Sequence, residues 1–358
     1  MLVVVVGQTT QALAPLAAEL ADYDPGWKLR AAIDEQAAIA AVAEDRADVI
    51  VTGMHGGCGP ALFNLLRSRH PDVARLLLLD RDDHSLPLGV LESAHRLLNR
   101  PLHSEELIDA IESIIELREL LGDSQLKALI GQVGHLPAPP KLYLELTRAI
   151  DDPSSSPAQI ANLIAQDPAI AAKVLRLCNS AYFCGGRTVT DLRSAVVRLG
   201  LQTLRRLVLA TEVFAHAANE TPDREAIRHR ALLASQLAAR LLGGSSAELA
   251  ATASLLSEVG RLLPGIGEGG SEGAPHYAEA GAYLLGLWGL PMAIVEGVAH
   301  HHQPRRSRTR GFWISGAVHV ARALAANEPV DEEYLASVSM LDRLPKWRKM
   351  AEELAEES

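Results

Sequence analysis

At 358 residues the chain is long enough for two or three domains, each with a core of its own. Apolar residues make up 48% and aromatics only 4%, so the core is built from Ala, Leu, Val and Ile, which favours helical packing. A formal charge of -10 argues against a general nucleic-acid coat and leaves room for a local basic patch.

The opening MLVVVVGQTT has no basic region before its apolar run and no cleavage signal. It is too short for a signal peptide or a membrane span and reads as a buried strand over residues 2–6. Residues 11–22 follow as a helix, 49–52 as a second buried strand, 61–69 as a helix and 76–79 as a further strand. A long helix over 104–121 closes this region, with Ser104 as its N-cap and Glu105 and Glu106 in its first turn. Strands alternating with helices imply right-handed crossovers and a parallel sheet, so an α/β domain is expected over residues 1–120.

From about Asp123 onward the β-branched runs largely disappear and the pattern becomes helical. Pro137-Ala138-Pro139-Pro140 and the Pro/Ser run at 152–157 break it, as do loops at 243–246 and 265–275. Pro157 after Ser156 starts one helix, and Asp167-Pro168 starts another. The expected second domain covers 121–330, all helical. A tail over 331–358 carries helices at 334–340 and from Lys346. No internal repeat is present, and no later apolar run reaches the roughly 18 uncharged residues a membrane helix needs. Cys58, Cys178 and Cys184 read as reduced thiols, in keeping with a soluble cytoplasmic protein.

The stretch DVIVTGMHGGCGPALFNLLRSRHPDVARLLLL resembles the middle of a response-regulator receiver domain, and AHRLLNRPLHSEELIDAIESI resembles its last strand, turn and helix. The resemblance implies a flavodoxin-like fold and a two-component signalling context. Phosphoryl transfer to a carboxylate needs an acceptor Asp, acids that hold Mg²⁺ and a cation on the phosphoryl oxygens. Here the acceptor position matches Gly53, the acidic pair is replaced by Gly7-Gln8-Thr9, the hydroxyl position holds Asp80, and the lysine position holds Arg100. Four departures in one site imply a pseudo-receiver that is not phosphorylated. Asp48, the nearest acid, opens its strand at the far end, where it caps or faces solvent.

Three further segments resemble an HDOD domain, the non-catalytic relative of HD phosphohydrolases. They are the opening LPAPPKLYLELTRAI with Gln166-Asp167-Pro168 and Asn179-Ser180-Ala181, the helical pair TDLRSAVVRLGLQTLRRLVLA, and the closing HYAEAGAYLLGLWGLPMAIVEGVAHHHQP. By that resemblance, the catalytic HD metal site would use a first His, matched by His229, and a later His-Asp pair. That pair is matched by Ser257 and Glu258, a hydroxyl and one carboxylate, which lack the imidazole–carboxylate chemistry of the site. His276, His301 and His302 remain, with Glu258 and Glu296 as acids that could rescue them. Glu296 and His300 stand at helical i, i+4 spacing, which suits a metal or a hydrogen-bonded pair. The plainer account is a histidine cluster at a helix C-terminus, ended by Gln303-Pro304.

Arg305, Arg306, Arg308 and Arg310 follow as a solvated loop or, alternatively, a site for an anion or an acidic partner. The reading that results is a cytoplasmic, bacterial-type signalling regulator without cofactor, metal or catalysis. It would bind a partner signalling protein, with a small-molecule or nucleotide ligand as the other candidate, and the helix over 104–130 is a candidate homodimer contact. Nucleic acid and membrane are not expected partners. The competing enzyme reading is a divergent metal-dependent HD phosphohydrolase acting on nucleotides or cyclic dinucleotides.

Overall fold

The computed structural model describes residues 1–53, 59–79, 94–121, 126, 130, 145–146, 148–149, 152, 154–164, 192–201, 204, 223–263, 266, 276–287 and 289–356. In chain order the α/β part comprises β1 (Leu2–Val6), α1 (Thr10–Tyr23), β2 (Lys28–Ala32), α2 (Glu35–Asp45), β3 (Val49–Gly53), α3 (Gly59–Arg69), β4 (Ala74–Leu79), β5 (Arg96–Asn99) and α4 (Ser104–Leu120). Helices follow: α5 (Pro157–Ile164), α6 (Leu192–Leu199), α7 (Asp223–Leu241), α8 (Ser245–Leu256), α9 (Tyr277–Leu287) and α10 (Met292–His300). The last are α11 (Ile314–Ala325), α12 (Glu332–Ser337) and α13 (Leu344–Glu356). No helix among the described residues is long and apolar enough to cross a membrane.

Two compact units emerge, and neither is a continuous stretch of sequence. The first comprises Met1–Ala138 and Leu263–Met292, and the second Pro139–Leu262 and Ala293–Ser358. The α/β unit thus runs past residue 120 and also takes in α9, which lies in sequence within the expected helical domain.

The first unit is built on a five-stranded parallel sheet in the order β2-β1-β3-β4-β5, the flavodoxin-like doubly wound arrangement. Strand β1 is LVVVV, and Val3 to Val6 are all buried, because a central parallel strand is covered on both faces. Alternation divides it between two cores. Val4 packs with Ile50, Phe63 and Leu77, while Val3 and Val5 pack with Val51, Leu107 and Ile111 on the other face. Each such buried side chain contributes about 1.5–3 kcal/mol relative to exposure. Thr9 caps α1 by accepting from the Ala12 N–H at 3.3 Å, and Asp34 caps α2 through Ala37 at 2.8 Å.

Three expectations change in this unit. Strand β2 and helix α2 occupy a stretch where the sequence suggested no element. The N-cap of α4 is His103, without a side-chain cap bond, so Ser104 is the first helical residue instead. This helix also ends at Leu120, where Leu121 leaves helical geometry, so it does not run unbroken to residue 130.

Helix α9 is held by one side chain above all. The Arg96 guanidinium donates to the carbonyls of Leu287 at 3.2 Å and Gly286 at 2.8 Å, capping the α9 C-terminus. It also reaches the Ala110 carbonyl at 3.3 Å and the Ser113 hydroxyl at 2.8 Å on α4. Its pKa is pulled down to about 10 by desolvation. Gly286 permits the approach, since a Cβ there would overlap the Leu117 side chain of α4.

In the second unit, α5 starts with Pro157 at its first position, as expected, behind a reciprocal cap. The Gln159 N–H donates to Ser156 Oγ at 3.3 Å, and the Ser156 N–H donates to Gln159 Oε1 at 2.6 Å. Helix α6 buries Ala195, Val196 and Leu199 and stops at Gly200, whose φ of +74° is the left-handed conformation that glycine adopts without strain. Helices α7, α8 and α11 pack through small and branched residues such as Ala238, Ala250, Ala253 and Val318. The tail closes over Val320, Leu335 and Trp347, with α12 starting at Glu332 and α13 at Leu344, a little before their expected starts.

Candidate functional site

At the end of β3, Gly53 leaves room that the Arg100 guanidinium occupies: a Cβ built on Gly53 would fall on Arg100 Nη2. An arginine tip therefore stands where a side chain of residue 53 would begin. Gly7 follows β1 with φ +76°, and Thr9 is committed to the α1 cap, so neither offers a carboxylate. Asp48 lies at the opposite end of β3. Its carboxylate accepts from the Leu2 N–H at 2.8 Å and from Arg118 at 2.6 Å, which ties the start of β1 to α4. Asp80, Cys58, Cys178, Cys184, Asp167-Pro168 and Asn179-Ser180-Ala181 lie outside the described residues.

The second unit assembles a different set of residues around Glu258. The chain leaves α8 at Ser257, whose hydroxyl donates to the Ser254 carbonyl at 2.9 Å, and turns into a 3₁₀ segment at Val259–Leu262. That turn aims Glu258 inward, 1% exposed. Its Oε2 accepts from Arg230 Nη2 of α7 at 3.0 Å, and its Oε1 accepts from Arg322 Nε and Nη2 of α11 at 3.3 Å each. Arg261 stands 3.9 Å away, one turn on. Arg322 also binds Glu328, through Nη2 at 2.9 Å and through Nη1. A buried carboxylate is tolerated when it is paired and hydrogen-bonded, and three arginines from three segments meet that need here.

The expected histidines take several separate roles. His229 is exposed on α7, and its neighbour Arg230 is the residue that turns toward Glu258. His300 and His301 are buried at the end of α10, and His302 is exposed. His301 donates from Nδ1 to the Val298 carbonyl at 2.7 Å, and its ring lies against His302 with centroids 4.2 Å apart. This matches the helix C-terminal cluster anticipated from the sequence. His276 belongs to the first unit, where its Nδ1 accepts from the Ala278 N–H at 3.2 Å and caps α9. The acid at 296 takes a role the sequence did not suggest. Its carboxylate accepts from the Ser307 hydroxyl at 2.8 Å and from the Arg308 N–H, which fixes the loop after the helix. Among the described residues, no three His, Cys, Asp or Glu side chains converge as a metal site would require.

His319 of α11 was not singled out in the sequence. It is buried, donates from Nδ1 to the His301 carbonyl at 2.7 Å and accepts from the Asp331 N–H at Nε2, 2.9 Å away. Those bonds specify the neutral ring, and burial lowers its pKa, partly offset by the bond to His301. In the first unit His95 is likewise held neutral. Burial, then the Arg75 and Arg96 charges, push its pKa well below the usual histidine value. The Arg75 N–H donates to His95 Nδ1 at 3.1 Å.

Residues 136–264 match the HDOD domain family. This chain contains an HDOD domain. The matched span ends two residues after the 3₁₀ segment that carries Arg261, so it includes Arg230, Ser257 and Glu258 but leaves Arg322 outside. An uncharacterised protein of Treponema pallidum is 26% identical over 203 residues, which is 49% of this chain and 39% of that one. Ribonuclease Y of Thermus thermophilus is 34% identical over 115 residues, 31% of this chain and 18% of that enzyme. The chain therefore spans well under two thirds of either relative. Among solved structures, an HDOD domain protein with unknown function from Geobacter sulfurreducens aligns at 19% identity and a TM-score of 0.48, covering 67% of this chain and 99% of that one. A Shewanella amazonensis protein provisionally named a metal-dependent phosphohydrolase aligns at 18% identity and a TM-score of 0.47, covering 68% and 99%.

Proposed function

We propose that this HDOD protein is a non-catalytic signal-transduction regulator, in which a phosphorylation-incompetent, receiver-like α/β domain and the HDOD domain act by binding a partner protein or small ligand. The observation that carries this reading is the state of Glu258. A carboxylate that served a divalent cation would present its oxygens to the ion, whereas both oxygens of Glu258 already accept from guanidinium groups. Three arginines around one buried acid form a site with its own cations built in. In the α/β unit the Arg100 guanidinium beside Gly53 supports the same conclusion for phosphoryl transfer.

The test is a metal and turnover measurement on the full chain. After chelation and readdition of Mn²⁺, Mg²⁺ or Zn²⁺, the regulator binds no stoichiometric metal and hydrolyses neither nucleotides nor cyclic dinucleotides. Stoichiometric metal, with hydrolysis lost in Glu258→Ala or His301→Ala, would overturn the reading. Acetyl phosphate should leave the chain unlabelled.

A further inference from the structure

The loop over 304–310 concentrates positive charge on a chain whose net charge is -10. It is also fixed in shape. Pro304–Arg306 forms a 3₁₀ turn, Glu296 holds the Ser307 hydroxyl at 2.8 Å together with the Arg308 N–H, and Ser315 Oγ donates to Ser307 Oγ at 3.3 Å. At the far end, Gly311 has φ +105° and its carbonyl accepts from the Tyr334 hydroxyl at 3.2 Å. Between these anchors Arg305, Arg306, Arg308 and Arg310 are all exposed. A loop held this way loses little conformational freedom when it binds.

The chain itself shows what such an arginine takes. Arg305 Nη2 donates to Asp331 Oδ1 and to Glu333 Oε2, both at 3.2 Å, so one guanidinium gathers two carboxylates spaced two residues apart at the start of α12. Stacking on bases is not on offer. Phe312 and Trp347 stack on each other at 5.1 Å and 18°, and Trp313 donates its ring N–H to Ser246 at 3.1 Å. A single-stranded polyphosphate would meet arginines whose neighbouring Phe312 and Trp313 rings are already engaged.

We propose that the 305–310 loop docks an acidic peptide segment of a partner protein, with Arg306, Arg308 and Arg310 gripping carboxylates as Arg305 grips Asp331 and Glu333. The inference rests on the partner-binding reading above and names the chemistry of the partner.

A fluorescein-labelled oligoglutamate peptide, titrated with the full chain and followed by anisotropy, tests it. Binding should weaken between roughly 50 and 200 mM salt, as screening requires. Arg306→Gln/Arg308→Gln/Arg310→Gln should lower affinity at least ~10-fold while the far-ultraviolet circular dichroism spectrum shows the fold retained. The corresponding triple Lys variant should recover part of that loss, because charge remains and the fork does not. Absence of peptide binding, or equal binding by the triple Gln variant, overturns the docking site. Tighter binding of a labelled oligothymidylate through the same arginines overturns it in favour of a nucleic acid. Any of these results leaves the non-catalytic reading standing, because that reading falls only to metal-dependent hydrolysis.

Discussion

Glu258→Gln keeps the shape of the side chain and removes its charge, which makes it a direct probe of the arginine hub. In the native unit, Oε1 accepts from Arg322 at 3.3 Å twice and Oε2 accepts from Arg230 at 3.0 Å. Removing one partner of a buried ion pair costs about 3–5 kcal/mol, mostly because the remaining charge is left without compensation. Two features place this site at the low end. Arg322, 7% exposed, retains Glu328, and Arg230, 31% exposed, can turn to water. A loss of about 3 kcal/mol is expected, which for a unit of this size lowers the thermal midpoint by roughly 6–12 °C. Urea and thermal denaturation followed by far-ultraviolet circular dichroism measure both quantities.

A loss below about 1 kcal/mol would refute the argument, because Glu258 would then behave as a solvent-screened surface acid. A second variant sharpens the point. Glu258→Leu combined with Arg322→Met removes both members of the most buried pair, leaves the more exposed Arg230 and Arg261, and should cost less than Glu258→Gln alone. A double variant that is less stable than the single one would show that packing, and not charge compensation, governs the site.

Other consequences concern the first unit. Gly53→Asp should leave the chain unlabelled by acetyl phosphate in mass spectrometry, because the new carboxylate would meet the Arg100 guanidinium while Gly7 and Gln8 supply no acid for Mg²⁺. Gly286→Ala should destabilise this unit by about 1–3 kcal/mol in urea titrations, since its Cβ would be forced into the buried Leu117 side chain. Arg96→Ala should raise amide hydrogen exchange across α9, and Arg96→Lys should not restore protection, because one ammonium cannot serve four acceptors on α4 and α9. The histidines set an acid limit. His95 and His319 have folded pKa values below the unfolded value of about 6.5, so the unfolded chain binds the extra protons and stability falls as pH drops below that value. Each contributes a slope of up to about 1.4 kcal/mol per pH unit. His95→Gln should remove its share, and a pH–stability curve identical to the parent's would count against the buried neutral ring.

The sequence was most readable where burial is two-sided. Strand β1 declares itself as LVVVV, and β3 and β4 are similarly apolar. Strand β2, KLRAA, pairs with β1 at the edge of the sheet and exposes Lys28, so it shows no apolar run. Helix α2 is nearly half alanine and buries Ala38, Ala41 and Val42, which gives almost no contrast between its faces. At the candidate site, Ser257 and Glu258 were visible as replacements for an expected pair, but their partners were not. Arg230 lies 28 residues away and Arg322 lies 64, separations across which local spacing carries no information. One signal was available: Arg322 sits in ISGAVHVARALA, a helix otherwise made of small, apolar and neutral residues, where a lone arginine needs a buried acid. At positions 229 and 230 the resemblance selected the histidine, and the arginine beside it is the residue that bonds Glu258.

The electrostatics of the hub also bear on whether a metal could be introduced by a simple substitution. Placing a histidine at Ser257 would supply one imidazole, but a divalent cation would still have to approach Arg230, Arg261 and Arg322 to reach Glu258. Like charges at such separations repel strongly in a partly desolvated site, and the carboxylate would have to exchange guanidinium bonds for coordination. Ser257→His alone should therefore bind no metal in titrations with Mn²⁺ monitored by electron paramagnetic resonance. Stoichiometric binding by that single variant would mean that the arginines do not control the site.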